Sequence, residues 1–492
     1  MANKKLKILY VSPEVVPFAK TGGLADVAGS LTKAFEPLGH DIRVIMPKYE
    51  GVSEEKYEMK EVIKGLEVEV GGGKEVVDIL ETKIPGTDVP VYLVSNYKYF
   101  GSRKELYQVK GKDYEDNCER FSLFSKAVLL FIKKIGWQPD IVHCNDWQSA
   151  LVIPYLKILY KGDPYFAKTA TIYSIHNMAY HGLFPKEKIF TIGLSWNQFT
   201  PDTLEFYGNL ALTKAGFVYA DLINTVSETY SKEIQTPEYG YGLDGLLRHR
   251  SADVFGILNG LDYDLWDPAK DKIIVKKYSI KDISGKLDNK LALQKENGLP
   301  EKPEIPLIGM ITRLDIQKGL DILAGIIEDI MHLKCQIIIL GTGDPKYHKL
   351  LQDERKKYPD HIAVNLGFDA ALAQRIYAGS DMFLMPSKYE PCGLGQLISF
   401  KYGTIPIVRA TGGLADTVHD FDPATGYGDG FVFKEYTSAA LLHSIKAAIK
   451  TFSDKKKWEK LMKKAMAYDY SWGASAKKYI ELYRKALSKI RA

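Results

Sequence analysis

Short β-branched runs alternate with helical patterns along this chain, and that alternation restricts the fold more than any other feature. Ile8-Leu9-Tyr10-Val11 reads as a buried strand, residues 24–35 as a helix closed near Gly39, and Ile42-Arg43-Val44-Ile45-Met46 as the next strand. Runs at 91–94, 141–143, 171–175 and 222–225 repeat the theme. Continuous apolar strands separated by helices belong to parallel βαβ units with both sheet faces covered. The pattern restarts beyond Ile257-Leu258-Asn259-Gly260-Leu261-Asp262 and a polar, lysine-rich stretch at 270–290. Its runs there fall at 307–311, 337–340, 362–364, 382–385 and 405–408. A chain of 492 residues is too long for one hydrophobic core. The expected fold is therefore α/β, two Rossmann-like doubly wound domains facing a cleft, at residues 1–258 and 259–472. Residues 473–492 carry a last amphipathic helix, placed by its position to cross back to the first domain.

The formal net charge of +5, from 66 basic and 61 acidic residues, is too small to argue for nucleic acid, and no basic block with a recognition motif is present. No run approaches the ~20 apolar residues that cross a bilayer, so no membrane partner is expected. The basic start is short, and Ser12 and Pro13 interrupt the apolar run after it, which reads as a strand and not a signal peptide. Cys118, Cys144, Cys335 and Cys392 have neither zinc nor redox spacing. They read as free thiols in a reducing compartment, so the expected location is cytoplasmic.

One hexapeptide occurs twice. Thr21-Gly22-Gly23-Leu24-Ala25-Asp26 returns as Thr411-Gly412-Gly413-Leu414-Ala415-Asp416, each copy several residues after a strand. Either two glycine-rich turns coincide, or each half places a Gly-Gly turn at the face of the cleft. Six identical residues in matching contexts favour the second.

Four constellations carry chemistry. In Lys20-Thr21-Gly22-Gly23-Leu24, glycines at a helix start let backbone N–H groups approach an anion, with Lys20 beside them. A tight turn with a solvated lysine fits the same letters. In Thr312-Arg313-Leu314-Asp315-Ile316-Gln317-Lys318-Gly319, Arg313 follows a buried strand and Lys318 precedes a helix. A guanidinium fork plus a point charge suits a diphosphate, and a loop with two solvated cations is the alternative. Tyr389-Glu390-Pro391-Cys392-Gly393-Leu394-Gly395 opens a helix. Its N–H groups suit phosphate and Glu390 suits sugar hydroxyls, or Glu390 caps the helix. Cys392 there is either a thiol activated by the helix start or a small buried residue. Finally, His143, Asn145 and Asp146, then His176, Asn177 and His181, end two buried strands. His176 and His181 make no complete zinc set, so metal is expected to be absent; sugar hydroxyl recognition fits better. For His143 a buried structural role remains open.

Taken in order, Lys20-Thr-Gly-Gly-Leu, His176-Asn-Met-Ala-Tyr-His-Gly, Tyr241-Gly-Leu-Asp-Gly, Ile257-Leu-Asn-Gly-Leu-Asp, Arg313 with Lys318, and Glu390-Pro-Cys-Gly-Leu resemble bacterial glycogen synthases and plant starch synthases. The resemblance runs from residue 7 to about 473. It implies a GT-B fold, an ADP-glucose or UDP-glucose donor, a glycogen or maltooligosaccharide acceptor, and no cofactor or metal. It implies that Arg313 and Lys318 hold the donor phosphates with help from Lys20, Gly22 and Gly23. His176, Asn259 and Glu390 would hold the transferred glucose, Asp146 would lie near the reacting centre, and Gly393 and Leu394 would lend N–H groups to the diphosphate. Phe368 matches a base-stacking aromatic. The chain departs from the pattern at Phe368-Asp369-Ala370, where many bacterial relatives have Tyr-Asp-Glu, and at Gly395, where relatives often carry a larger residue. The reaction implied is glucose transfer from ADP-glucose to the non-reducing end of an α-1,4-glucan with retention. Catalytic roles would fall to Glu390, His176, Asp146, Arg313 and Lys318. The rival readings are a sugar-nucleotide epimerase or phosphorylase on the same fold, and a non-catalytic glucan-binding protein.

Overall fold

The computed structural model describes residues 5–491. The chain forms two compact units. Unit 1 comprises the chain up to Gly260 together with the segment from Trp472 on; unit 2 comprises Leu261–Ser471. Strands are numbered here for the two large sheets only.

Unit 1 is built on nine strands: β1 (Lys7–Val11), β2 (Asp41–Pro47), β3 (Lys60–Val70), β4 (Gly73–Lys83), β5 (Pro90–Ser95), β6 (Ile141–Asn145), β7 (Ala170–Ile175), β8 (Leu222–Thr225) and β9 (Val254–Gly256). Their order across the sheet is β9-β8-β7-β6-β1-β2-β5-β4-β3. The strands from β9 to β5 run parallel, as continuous apolar runs demand. The expectation of purely parallel units fails at one edge, where β4 pairs antiparallel with both β5 and β3. The hairpin had a local signal. Leu66, Val68 and Val70 are buried while Glu67 and Glu69 are exposed, and Gly71-Gly72, both at positive φ, supply the two-residue turn that matches strand twist.

The helix Trp472–Lys489 completes unit 1. Tyr479 and Tyr483 lie against Phe35 on the helix Gly23–Phe35. The Tyr483 hydroxyl is 2.8 Å from His143 Nδ1, and Asn224 donates to the Tyr479 hydroxyl at 3.1 Å. The last helix is thus bonded to β6 and β8, deep in the sheet.

Unit 2 has six parallel strands: β10 (Leu307–Ile311), β11 (Gln336–Gly341), β12 (Ile362–Leu366), β13 (Met382–Met385), β14 (Ile405–Arg409) and β15 (Phe431–Phe433). The order is β12-β11-β10-β13-β14-β15, the doubly wound 3-2-1-4-5-6 arrangement. Alternate residues of β11 feed opposite cores. Ile337 and Ile339 join one apolar cluster, and Ile338 and Leu340 join the other. All four cysteines are buried and none is in a disulfide. Among the described residues no helix is long and apolar enough to cross a membrane.

Both sheets have a topological switch point, where successive connections leave on opposite sides and the loops at the carboxyl ends part to leave a crevice. In unit 1 it lies between β1 and β6, in unit 2 between β10 and β13. The ends of these four strands carry Lys20, Asp146, Arg313, Lys318 and Glu390, while His176 follows β7 and Phe368 follows β12.

Candidate active site

In unit 2 the loops after β10 and β13 are tied to each other. Gly319 sits at φ +77, and a Cβ there would come within 2.1 Å of the Pro386 carbonyl. The Lys388 N–H donates to the Gln317 carbonyl at 2.8 Å. Asp315 accepts from the Lys318 N–H at 3.1 Å and so caps the short turn that carries the lysine. Lys318 Nζ then reaches Glu390 Oε2 at 2.6 Å, and Ser387 donates to the same oxygen at 3.0 Å. Arg313, Lys318, Glu390, Gly393 and Leu394 all line one cavity of about 180 Å³.

Arg313 is placed differently from Lys318. Its side chain is 61% exposed, and its partners among the described residues are local, Asp315 at 3.2 Å and Gln317 at 2.9 Å. It is a cation kept at the rim, available to an incoming anion. Phe368, 92% exposed, follows β12 in the loop before the helix Ala370–Gly379 and lies outside that cavity lining. Its ring has a free face.

The glycines explain two features of the sequence. Gly395 would place a Cβ 2.8 Å from the Phe383 ring and 3.1 Å from Met385 Sδ. A larger residue there requires the Phe383 and Met385 side chains to shift, so the departure at Gly395 is matched by local packing. Gly412 and Gly413 are pressed against the Glu390 loop, their Cβ positions 2.0 Å from the carbonyls of Glu390 and Cys392 respectively. Gly413 N–H donates to the Glu390 carbonyl at 3.2 Å. The second copy of the hexapeptide is therefore a buttress under Glu390. Cys392 is buried there, as a small packed residue.

The first copy is the opposite case. Gly22 has φ −141 and neither Gly22 nor Gly23 has any atom within 4 Å of a Cβ position. Neither backbone conformation nor packing calls for glycine. The turn's N–H groups are partly used from within: Glu14 accepts from Thr21 N–H at 2.5 Å, Gly22 N–H at 3.2 Å, Thr21 Oγ1 at 2.7 Å and the Tyr107 hydroxyl at 2.9 Å. Gly22 thus already serves a carboxylate, which the sequence reading did not foresee. Lys20 pairs with Asp26 at 2.7 Å. Sequence reasoning missed Glu14 because a single acid after a strand has no distinguishing pattern; only its place beside β1 pointed to it.

At the ends of β6 and β7 the structure brings Asn145, Asp146 and His176 together. Asp146 sits at φ +53, in the left-handed region that non-glycine residues rarely occupy. Its Oδ1 accepts the His176 N–H at 2.8 Å. His176 Nε2 lies 3.1 Å from Asn145 Oδ1, which also accepts from the Tyr10 hydroxyl at 3.1 Å. Burial pushes the Asp146 carboxyl up to about 7, against the His176 hydrogen bond and with some help from Glu14. Burial lowers His176 to about 4, so its ring is neutral at pH 7. The site therefore offers a neutral imidazole and a carboxyl that titrates near neutrality.

The other first-domain candidates separate from this cluster. His143 is fully buried between Tyr483 and Ser174 Oγ, 2.6 Å away, and is a structural residue. His181 packs edge-on against Phe206, with ring centroids 5.2 Å apart. Asn259 falls in unit 1, buried, with its Oδ1 lacking any hydrogen-bond partner among the described residues. Among the described residues no three or more His, Cys, Asp or Glu side chains are grouped to hold a metal ion.

Comparison with known proteins places this geometry. Residues 7–249 match the family described as starch synthase catalytic domain, and residues 289–465 match glycosyl transferases group 1. A glycogen synthase of Moorella thermoacetica is 50% identical over 492 residues, covering 100% of this chain and 99% of its own. One from Thermotoga petrophila is 48% identical over 490 residues, covering 99% and 100%. Among solved structures, the catalytic domain of starch synthase IV from Arabidopsis thaliana, bound to ADP and acarbose, superposes with a TM-score of 0.89 at 34% identity, covering 99% of this chain and 100% of that one. With two doubly wound sheets, candidate residues at both switch points and these full-length matches, the chain belongs to the glycogen synthase and starch synthase family of GT-B glycosyltransferases.

Proposed function

We propose that the chain transfers glucose from ADP-glucose to the non-reducing end of an α-1,4-glucan, with retention of configuration, in the cytoplasm. The observation that carries this reading is the Lys318–Glu390 pair at the unit 2 switch point, with Arg313 exposed at the rim of the same cavity. The preference for ADP draws on the Arabidopsis starch synthase, whose structure holds ADP.

In this reading Arg313 and Lys318 bind the donor diphosphate, and Glu390 takes the sugar hydroxyls beside it. Lys318 then exchanges part of its bond to Glu390 for a phosphate oxygen. As the bond from C1 to the diphosphate oxygen breaks, negative charge grows on the leaving group. Arg313, Lys318 and the N–H groups of Gly393 and Leu394 stabilise it without reorganising. The acceptor 4-hydroxyl attacks C1 from the side the diphosphate leaves, and its proton passes to the departing phosphate. Phe368 stacks on the base. His176, neutral, and Asn259, whose Oδ1 has no partner among the described residues, bind hydroxyls of the transferred glucose, and Asp146 lies near the reacting carbon. Lys20, Gly22 and Gly23 assist at the diphosphate.

The test is glucose transfer to glycogen from ADP-glucose and, separately, from UDP-glucose, with chelator present. ADP-glucose is expected to be the better donor, the new linkage α, and Arg313→Ala to lower kcat/KM by roughly 100-fold. Transfer from neither nucleotide sugar, or a β-linked product, sinks the proposal.

A further inference from the structure

The loops after β10 and β13 share a third neighbour, residues 434–437, which follow β15 at the edge of the unit 2 sheet. Tyr436 in that segment reaches back to the short turn Ile316–Lys318. Its hydroxyl donates to Asp321 Oδ1 at 2.5 Å and to the Ile316 carbonyl at 3.1 Å, one hydrogen shared between two acceptors. Burial first, then the Asp321 carboxylate, raises the pKa of the hydroxyl, so it stays a donor at any working pH.

The ring is held as well as the hydroxyl. The Arg409 guanidinium, at the end of β14, lies 5.4 Å from its centre, and Lys388 Nζ lies 5.9 Å from it, both within reach of a cation–π contact. Arg409 also donates to the Lys388 carbonyl and, at 3.1 Å, to the Lys434 carbonyl. The contacts close a circuit. It runs from the turn to Tyr436, from the ring to Arg409, from Arg409 to the Lys388 carbonyl, and from the Lys388 N–H back to the Gln317 carbonyl.

That circuit encloses the turn that carries Lys318. The one apolar side chain of the turn, Ile316, is 54% exposed, so burial of its own side chains does not fix it. Polar ties must do so instead. Tyr436 does not line the cavity that holds Lys318, Arg313 and Glu390, so it acts on that cavity only through the loops.

We propose, on the donor reading above, that Tyr436 is a positioning residue for the donor diphosphate: its hydroxyl fixes the turn that aims the Lys318 ammonium into the cavity. A cation set in place beforehand needs no reorganisation when charge grows on the leaving phosphate. Small displacements of such a group are expensive in rate.

A double-mutant cycle on the full chain tests this, with Tyr436→Phe, Lys318→Gln and the two combined. Phenylalanine keeps the ring between its cations and removes only the hydroxyl; glutamine keeps a donor for Glu390. Titration calorimetry reads ADP affinity, and kinetics read kcat/KM for ADP-glucose. Alone, Tyr436→Phe should weaken ADP binding roughly three- to ten-fold and lower kcat/KM at least as much, with KM for glycogen unchanged. In the Lys318→Gln background the same substitution should change ADP affinity by less than about two-fold, because the group it positions is gone. A hydroxyl that merely supports the fold gives the same loss in both backgrounds, and that result overturns the proposal. ADP affinity equal to the parent's in Tyr436→Phe overturns it too. A parent chain that binds no ADP sinks the donor reading and this role together, whereas a parent that binds ADP keeps the donor reading whatever Tyr436 does, so the two failures are told apart.

Discussion

Asp146 and His176 share a hydrogen bond yet respond to pH in opposite senses, because burial disfavours the charged form of each. His176 is lowered from 6.5 to about 4, so its contribution to stability is complete above pH 6.5 and is lost as pH falls toward 4. Asp146 is raised from 3.8 to about 7, so its contribution is complete below pH 3.8 and is lost as pH climbs toward 7. Asp146→Asn removes the second effect. Asparagine tolerates φ +53 and keeps an oxygen for the His176 N–H. Calorimetry should find the variant stabilised relative to the parent by roughly 2 kcal/mol more at pH 8 than at pH 5; an equal difference at both would show that Asp146 ionises normally. The sequence showed that His143, Asp146 and His176 end buried strands. It did not show that the His143 ring turns to Tyr483, 340 positions away, while the His176 ring meets Asn145. Strand position was legible; side-chain partners from distant segments were not, and Glu14 went unseen for the same reason.

The two copies of the hexapeptide show how one local pattern serves two elements. Both open a helix, Gly23–Phe35 and Gly412–Thr417, but only the first was readable from glycine and apolar spacing. What differs is the neighbour. Gly413→Ala drives a Cβ to 2.0 Å from the Cys392 carbonyl and should cost unit 2 about 1–3 kcal/mol. Gly23→Ala meets nothing within 4 Å and should leave stability equal or raised by roughly 0.5 kcal/mol. Thermal melting of the pair separates them, and comparable losses would contradict the contrast. If Gly23 faces the donor, Gly23→Ala weakens ADP-glucose binding despite the better helix. Five of the six parallel strands of unit 2 were legible as apolar runs, β15 with its three residues was not, and the β3–β4 hairpin was passed over because its alternation is polar on one face.

The chain's last helix belongs to its first unit. Trp472–Lys489 buries Trp472, Tyr479, Ile480, Leu482, Tyr483 and Leu487, among others. At about 1.5–3 kcal/mol for each large side chain, that burial rivals the 5–15 kcal/mol net stability of an ordinary domain. A chain ending at Ser471 should therefore lose unit 1 and keep unit 2. Hydrogen exchange is the direct check: amides of β6 and β8 should lose protection while those of β10, β11 and β13 keep it, and protected β6 amides would show that the helix is dispensable. The same arrangement sets an order of events on the ribosome. Unit 2 emerges whole and can close its core as soon as Ser471 is out. Unit 1, begun before unit 2, must wait through the synthesis of everything between Gly260 and Trp472 with the face over His143 and Asn224 uncovered, so the unit that starts before the other is finished after it.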